Sequence, residues 1–248
     1  MSCIVIIPAR MGASRLPGKP LADIAGKAMI VHVFERAVDA AIGPVVVAAG
    51  DREIAAAVEA AGGTAVLTDP ALASGTDRVF AALELVDPKG SHSAVLNVQG
   101  DLPLLDPAYV ETAHRALRAS GADIATLAAP IADEADFDNP NVVKPVVAWD
   151  PDTVYGRALY FTRARVPYGD GPLYHHIGIY AFRRDALERF VALSPSPLER
   201  RENLEQLRAL EAGMTIAVAR VDKVPLSVDT PVDLARVRAA AQIGLRSA

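Results

Sequence analysis

Short, β-branched apolar runs alternate with longer Ala- and Leu-rich segments throughout the first half of this 248-residue chain. The runs predict strands at residues 4–8, 45–49, 64–67, 94–98 and 124–128. The segments between them predict helices at residues 28–41, 53–61, 78–86 and 107 to about 121, the last with Asp106 as its N-cap. Because nearly continuous apolar strands alternate with helices, we expect an α/β fold with a Rossmann-like, mostly parallel, doubly wound sheet.

The pattern changes at residues 130–174, where prolines recur. Residues 142–149 and 154–161 predict two antiparallel strands joined by a tight turn, which indicates a small inserted antiparallel subdomain. Regular patterning then returns. It predicts a strand at 176–182, one helix from the Ser196/Glu199 capping box to Gly213, and a closing helix at 231–243. Since no flexible linker interrupts the sequence, we interpret residues 1–248 as a single domain that carries the 130–174 insertion.

The composition excludes several classes of function. A net charge of −5 disfavours nucleic acid and anionic membranes as partners, so any anion site must be a local concentration of cations. The single cysteine, Cys3, cannot form an internal disulfide and is typical of a reducing compartment. No stretch approaches the ~20 apolar residues of a membrane-spanning helix. We therefore expect a soluble, cytoplasmic protein with no nucleic-acid partner and no membrane partner.

The loop after the first predicted strand carries the strongest local signal. Residues 1–22 contain Arg10, Arg15 and Lys19 but no carboxylate, although the chain as a whole is acidic. Glycines in the same loop let backbone amides approach a ligand closely, and a phosphate chain is the ligand that suits such a loop. The alternative is a surface turn with solvated charges.

Neither common nucleotide-binding motif fits this loop. Five residues separate Gly12 from Gly18, and Lys19 is followed by Pro20, whereas a Walker motif needs four residues and then a hydroxyl side chain after the lysine. The dinucleotide fingerprint is absent as well. The phosphate loop must therefore be of another type.

Two aspartates distant in sequence are candidate ligands for a hard cation such as Mg²⁺. Asp101 follows the predicted strand at 94–98, and ligands gather beyond the carboxyl ends of strands in a doubly wound sheet. Such an aspartate is often a turn former or helix cap, but Asp106 is better placed to cap the next helix. Asp229 directly precedes a helix start at Thr230, so it could equally cap that helix or face a ligand.

These segments resemble, in order along the chain, the motifs of the CMP-Kdo synthetases. That family comprises cytidylyltransferases that activate the eight-carbon acid sugar 3-deoxy-manno-octulosonate (Kdo) with CTP. The matching segments are the Ser-Arg-Leu-Pro-Gly-Lys loop at 14–19, Ser-Gly-Thr-Asp-Arg at 74–78, Asn-Val-Gln-Gly-Asp at 97–101, Asn-Pro-Asn at 139–141 with Val-Lys at 143–144, Tyr-Phe-Thr-Arg-Ala at 160–164, His-Ile-Gly-Ile-Tyr at 176–180, Pro-Ser-Pro-Leu-Glu at 195–199, Leu-Glu-Gln-Leu-Arg at 204–208 and Val-Asp-Thr-Pro at 228–231.

The resemblance implies a fold of the nucleotide-diphospho-sugar transferase type and a Mg²⁺-dependent reaction. CMP would pass from CTP to the anomeric hydroxyl of Kdo, with release of pyrophosphate, and the product would serve lipopolysaccharide biosynthesis. The family also suggests a homodimer built through residues 130–174.

The resemblance assigns roles to individual residues. The nucleotide-binding residues would be Ala9, Arg10, Ser14, Arg15, Lys19, Ser74, Gly75, Arg78 and Gln99. The sugar-binding residues would be Gln99, Arg163, His176, Tyr180, Glu205 and Gln206, with the Arg163 guanidinium on the sugar carboxylate. The catalytic residues would be Arg10, Arg15, Lys19 and Asp101, and the metal ligands Asp101 and Asp229.

The pattern alone predicts less for some of these residues. His176 would be a structural histidine, and Glu205 and Gln206 would lie on a solvated helix face. Asp51 is expected only to cap the helix at 53–61. The family usually has a glutamate where this chain has Leu102, which leaves a cytidylyltransferase for sialic acid or a related sugar as an alternative. A nucleotidyltransferase acting on a sugar phosphate and a non-catalytic nucleotide-binding module are two further hypotheses.

Overall fold

The computed structural model describes residues 1–12 and 15–246, with side-chain burial through residue 243. The chain forms two compact units. The first comprises Ser2–Val110 and Pro225–Ala248, and the second comprises Glu111–Val224 with Met1. The region 130–174 lies inside the second unit, and the interpretation of the chain as a single domain stays a prediction.

The helices and strands are numbered in chain order. They are β1 (Cys3–Ala9), β2 (Asp23–Ile24), β3 (Lys27–Ala28), α1 (Met29–Asp39), β4 (Val45–Ala49), α2 (Arg52–Ala60), β5 (Ala65–Leu67), α3 (Gly75–Val86), β6 (Ala94–Asn97), α4 (Pro107–Ser120), β7 (Ile124–Pro130), β8 (Lys144–Trp149), β9 (Tyr155–Thr162), β10 (Tyr174–Arg183), α5 (Arg184–Val191), α6 (Pro197–Glu202), α7 (Gln206–Glu211), β11 (Ile216–Arg220) and α8 (Pro231–Arg246). Short 3-10 helices span Lys19–Leu21 and Glu134–Asp136.

In the first unit, four strands pair in the order β5-β4-β1-β6, and all three pairings are parallel. Val5 is in register with Val45, and Cys3 with Ala94. Every residue of β4 and β6 is buried, as expected for parallel strands that are covered on both faces. Because β1 and β6 run in the same direction, the loops that follow them leave the same edge of the sheet.

The carboxyl-terminal helix α8 is anchored in the first unit by a small apolar cluster. Its buried members are Ile24, Met29, Val228, Leu234 and Val237. The backbone N–H of Val228 also donates to the carbonyl oxygen of Asp101 at 3.0 Å. The cluster and this hydrogen bond hold the segment before α8 against the loop after β6, although the two are far apart in sequence.

In the second unit, five strands pair in the order β10-β7-β11-β9-β8. The β7–β11 pair is parallel, and the β7–β10, β9–β11 and β8–β9 pairs are antiparallel. The β8–β9 hairpin places Lys144 opposite Thr162 and confirms the predicted antiparallel pair. The α/β class, the mostly parallel strands of the first half and the inserted antiparallel strands are therefore confirmed.

The prediction of one helix from Ser196 to Gly213 is wrong. The Ser196/Glu199 capping box is present, but it opens only the short helix α6. Asn203 then adopts a left-handed conformation with φ of 54°, which ends α6 before α7 begins. Asparagine is one of the few non-glycine residues that adopts this conformation readily, so an internal stop was encoded in the sequence.

Several short elements were not predicted: β2, β3, β11 and α5. Strands β2 and β3 form a hairpin in which each strand has two residues, too few for a periodic pattern in the sequence. Helix α5 begins directly after β10 without a turn residue, so no break separates the two patterns. Among the residues that the structure describes, no helix is long and apolar enough to cross a membrane.

Candidate functional site

A cleft of about 340 Å³ lies in the first unit, at the edge where β1 and β6 end. Ten predicted site residues line this one cleft: Ala9, Arg10, Arg15, Lys19, Ser74, Gly75, Arg78, Gln99, Asp101 and Asp229. Ser14, the remaining predicted nucleotide-binding residue, lies outside the described residues. The structure therefore brings the cationic loop and both distant aspartates together, as the sequence predicts.

One hydrogen bond and one glycine conformation, near its two ends, shape the loop after β1. The backbone N–H of Met11 donates to Asp51 Oδ2 at 2.7 Å. Gly18 has φ of 70°, a conformation that favours glycine, and it directly precedes the 3-10 helix that carries Lys19. Asp51 is the N-cap residue of α2, as predicted, but its side chain accepts from the loop after β1 and makes no capping hydrogen bond to an amide of α2.

Gly100 explains how the loop after β6 comes so close to β1. A Cβ atom at this position would lie 2.9 Å from the carbonyl oxygen of Pro8, so only glycine fits there without a shift. The close approach places Gln99 and Asp101, on either side of Gly100, against the loop that follows β1. Gln99 Nε2 donates to Asn97 Oδ1 at 3.1 Å, which fixes the orientation of its amide.

The two aspartates converge on one ammonium group. Lys19 Nζ lies 3.0 Å from Asp101 Oδ2 and 3.2 Å from Asp229 Oδ1, and it also donates to the carbonyl oxygen of Val228 at 2.9 Å. Arg15 Nη2 lies 3.5 Å from the same oxygen of Asp229. Burial by itself would lower the pKa of Lys19, but the two carboxylates outweigh it and raise that pKa above its ordinary value.

Both aspartates are free of capping roles. Asp106 caps α4, since its Oδ1 accepts from the N–H of Ala108 at 3.0 Å. At the start of α8, Thr230 and Asp233 form the reciprocal hydrogen bonds of a cap, with Thr230 Oγ1 accepting from the N–H of Asp233. The alternative in which Asp229 caps α8 is therefore excluded, and its carboxylate faces the cleft.

Arg78 is a buried cation at the back of the cleft, with 2% of its surface exposed. Its guanidinium donates to the hydroxyl of Thr68 at 2.6 Å and to the carbonyl oxygens of Asp69 and Pro70. Burial lowers the pKa of Arg78, and the nearby charge of Arg10 lowers it further. Arg78 is thus held by neutral acceptors, and its positive charge contributes to the field of the cleft.

Asp101 and Asp229 also fit a divalent cation. Both offer hard oxygen ligands, and both already reach a single cation, the Lys19 ammonium. Among the residues that the structure describes, no group of three or more His, Cys, Asp or Glu side chains could hold a metal ion. A metal at this pair would therefore take its other ligands from phosphate oxygens and water.

The other predicted sugar residues lie in the second unit, where Arg163 is tied to the backbone. Its guanidinium donates to three carbonyl oxygens, those of Glu202 at 2.8 Å, Pro140 at 2.8 Å and Asn203 at 3.3 Å. The Glu202 carboxylate in turn accepts from the Thr162 hydroxyl and from the N–H of Arg163. The structure gives Arg163 an anchoring role that the sequence did not predict.

On β10, His176 is buried and Tyr180 is half-buried. His176 Nε2 lies 2.9 Å from Thr126 Oγ1, and burial lowers the pKa of the imidazole to about 3, so the ring is neutral at pH 7. Burial, with the charge of Glu205, raises the pKa of the Tyr180 hydroxyl. Both rings are fixed, uncharged groups in this unit.

Gln206 contradicts the expectation of a solvated helix face. It is 6% exposed, and within the described part of the chain its Nε2 is a buried donor without a hydrogen-bond partner. Such a donor is costly unless a ligand satisfies it. Glu205 directly precedes α7, with its side chain 31% exposed. The pattern of Leu204, Leu207 and Leu210 misled the prediction, because α7 is too short and too deeply packed to have a solvated side.

Sequence reasoning did not predict the contacts of Asp51 and Glu202, which shape the two sets of predicted residues without belonging to them. Only their contacts reveal them, since an aspartate before a helix and a glutamate in a charged helix carry no distinctive signal. Leu102, where the resemblance leads one to expect a glutamate, is 6% exposed and joins the core of the first unit. An apolar residue suits that environment without further partners.

Comparison with known proteins adds an independent observation. A family model described as cytidylyltransferase matches residues 4–216. The 3-deoxy-manno-octulosonate cytidylyltransferase of Parvibaculum lavamentivorans is 64% identical over 237 residues, which cover 96% of this chain and 92% of the relative. The enzyme of the same name from Methylobacterium radiotolerans is 63% identical over 240 residues, 96% of each chain.

A solved structure is similar over the whole chain. It is that of CMP:2-keto-3-deoxy-manno-octonic acid synthetase complexed with CTP. It matches with a TM-score of 0.91 and 40% identity, covering 98% of this chain and 100% of that one.

Proposed function

Because the chain belongs to the cytidylyltransferase family, we propose that it transfers CMP from CTP to the anomeric hydroxyl of Kdo and releases pyrophosphate. The observation that carries this proposal is the convergence of Arg10, Arg15 and Lys19 with Asp101 and Asp229 in one cleft. The relatives named for this reaction are similar over almost their full length, which supports Kdo as the sugar. The product, CMP-Kdo, would supply lipopolysaccharide biosynthesis.

In this proposal the sugar hydroxyl attacks the α-phosphorus of CTP in line with the departing pyrophosphate. Arg10, Arg15 and Lys19 neutralise the charge that develops on the leaving group. Arg78 adds a fixed positive charge at the back of the cleft. The reaction then depends on positioning and electrostatics and uses no covalent enzyme intermediate.

We propose Mg²⁺ as the cofactor, held by Asp101 and Asp229. When bound, it would withdraw charge from phosphate oxygens and lower the pKa of the attacking hydroxyl. The support for it is the chemistry of the two carboxylates and their reach to a common cation.

For the sugar, we propose that Arg163, His176, Tyr180, Glu205 and Gln206 contribute with Gln99. The buried, unsatisfied Nε2 of Gln206 supports this, since a sugar hydroxyl would supply its missing acceptor. The family resemblance also leads us to propose a homodimer through residues 130–174 and a cytoplasmic location. Sedimentation equilibrium measures the first of these.

Pyrophosphate release tests the reaction. The enzyme is incubated with CTP and Mg²⁺, and Kdo is compared with sialic acid and with hexose 1-phosphates. We expect turnover with Kdo and CTP, with kcat/KM at least ~100-fold lower for the other sugars or for ATP, because a site that hydrogen-bonds its own substrate discriminates against one that leaves its polar groups unpaired. Preferred turnover of sialic acid would assign the chain to the related synthetases. CTP binding without pyrophosphate release from any sugar would reject the enzymatic proposal.

A further inference from the structure

Lys19 makes as many hydrogen bonds as its ammonium group can donate. An ammonium has three N–H donors, and three protein oxygens accept from Nζ: Asp101 Oδ2, Asp229 Oδ1 and the carbonyl oxygen of Val228. The side chain is only 16% exposed. Lys19 can therefore reach a phosphate oxygen only after it gives up at least one of these contacts.

The two aspartates need a cation between them. Two carboxylates that approach the same point repel each other unless a positive charge lies between them. Arg15 contributes little, because its side chain is 64% exposed and its ion pair with Asp229 spans 3.5 Å. Lys19 touches both carboxylates and is the less exposed of the two cations, so its charge holds the pair in place.

We propose that Lys19 takes the place of the divalent cation in the metal-free enzyme and moves to the nucleotide phosphates when the cation binds. This inference rests on the proposed function, because it assumes that Asp101 and Asp229 hold the metal. The Lys19 ammonium then neutralises two groups of anions in succession, first the two aspartates and then the nucleotide phosphates. Free enzyme binds divalent cations weakly, and the ion is bound well only with nucleotide, whose phosphates accept the displaced Lys19.

The affinity of the nucleotide-free protein for Mn²⁺, measured by electron paramagnetic resonance, tests this exchange. Lys19→Met removes the competing ammonium, so we expect Mn²⁺ to bind at least ~10-fold more tightly than to the wild type, the effect of about 1.4 kcal/mol. Adding Asp101→Asn to this variant should abolish the gain. Lys27→Met is the matched control, because Lys27 pairs with Glu35 outside the cleft and should leave Mn²⁺ affinity unchanged. Equal or weaker Mn²⁺ binding by Lys19→Met would overturn the inference.

A second measurement uses the wild-type protein and does not depend on how the variant folds. Reductive methylation followed by mass spectrometry reports how accessible each lysine amine is. Lys19 should be protected in the metal-free protein. At saturating Mg²⁺ it should become at least ~5-fold more reactive, the scale of losing one ordinary hydrogen bond. When CTP is added as well, Lys19 should be protected again. Lys27 should react equally in all three states. Unchanged labelling of Lys19 on addition of Mg²⁺ contradicts the exchange.

The two levels of proposal fail separately. Metal-dependent turnover of CTP and Kdo, together with unchanged Mn²⁺ affinity in Lys19→Met, removes the exchange and leaves the proposed function. If Mn²⁺ binds more tightly to that variant but the wild type turns over no acid sugar, the proposed reaction is rejected and the exchange of Lys19 for the metal is retained.

Discussion

The predicted phosphate and metal residues of the first unit are held quite differently from the predicted sugar residues of the second. In the cleft, Lys19 and the two aspartates bind one another through charge, and their side chains are 16%, 28% and 43% exposed. In the second unit, Arg163 is bound by neutral carbonyl oxygens, and His176 and Gln206 are buried. Groups of the first kind can exchange partners, whereas groups of the second kind are part of the packing.

This contrast has a measurable consequence. Substitutions in the cleft should change turnover and leave the free energy of unfolding nearly unaltered. Substitutions among the sugar residues should change stability and sugar affinity together. Four predictions test the contrast, in order of the expected effect.

Asp101→Asn should lower turnover at least ~100-fold, the scale of losing one electrostatic contact in a transition state. The free energy of unfolding should change by no more than about 1 kcal/mol, because Asp229 and the Val228 carbonyl still hold Lys19. Pyrophosphate release at saturating Mg²⁺ and urea unfolding measure the two effects. Asp39→Asn, which removes an exposed ion pair with Arg36, is the control. Near-normal turnover would refute the role of Asp101.

Arg163→Met should destabilise the protein by about 2 kcal/mol, because the carbonyl oxygen of Glu202 loses a part-buried donor, while water replaces the donor at the exposed carbonyl oxygens of Pro140 and Asn203. The KM for Kdo should rise in the same variant while the KM for CTP stays within about twofold, the range of a small surface effect. Urea unfolding and steady-state kinetics measure these changes. Arg165→Met is the matched control, since the contacts of Arg165 within the described part of the chain are an exposed ion pair with Asp138 and a stacking contact with Phe137. If the variant is as stable as the wild type but has a raised KM for Kdo, Arg163 resembles the exchangeable charged residues of the cleft and is not part of the packing.

How much the sequence could predict follows the same division. The phosphate loop and Asp101 were predictable because parallel strands bring their following loops to one edge, and because cations without carboxylates are a local signal. Asp229 precedes a helix, so its pattern left a cap and a ligand equally open, and only the resemblance assigned it to the metal. The residues that would hold the ligand could be named without knowing any side-chain contact.

In the second unit the residues were named by resemblance, but their surroundings were not predictable. Nothing in a Leu-Glu-Gln-Leu pattern shows that Gln206 is buried, because that depends on where α6 ends, at Asn203. The three carbonyls that bind Arg163 come from two segments, near Pro140 and Glu202, and long-range backbone acceptors leave no mark on residue type. Side-chain contacts to distant backbone groups therefore cannot be predicted from a sequence pattern.

The buried imidazole of His176 should make stability depend on pH. The pKa is about 3 in the folded protein, against an unfolded value of 6.5, so below pH 6.5 only the unfolded chain takes up the proton. This contribution to stability is complete above pH 6.5 and is lost as pH falls towards 3. Between pH 7 and pH 5 the loss should be about 2 kcal/mol.

Urea unfolding of the wild type and of His176→Gln at both pH values isolates this group, since all other titrating groups are shared. The variant should lose about 2 kcal/mol less than the wild type over this range. Equal losses in the two proteins would mean that His176 takes up a proton in the folded state. The second unit would then contain an exchangeable charge, and the contrast between the units would weaken.

Two substitutions of Asp51 test whether charge alone determines how the cleft binds CTP. Asp51→Ala removes both a negative charge near the cations and the acceptor that holds the Met11 N–H, whereas Asp51→Asn removes the charge and keeps an acceptor. If the anchored loop matters, the KM for CTP should rise about 5-fold in the alanine variant, the effect of roughly 1 kcal/mol for one charge-assisted hydrogen bond. The asparagine variant should keep the wild-type KM or lower it, because the cleft becomes more positive towards a polyanion. If the KM for CTP rises in the alanine variant and falls in the asparagine variant, the exchangeable charges of the first unit depend on a fixed backbone. If this KM falls in both variants, the charge of Asp51 matters and its hydrogen bond to the loop does not.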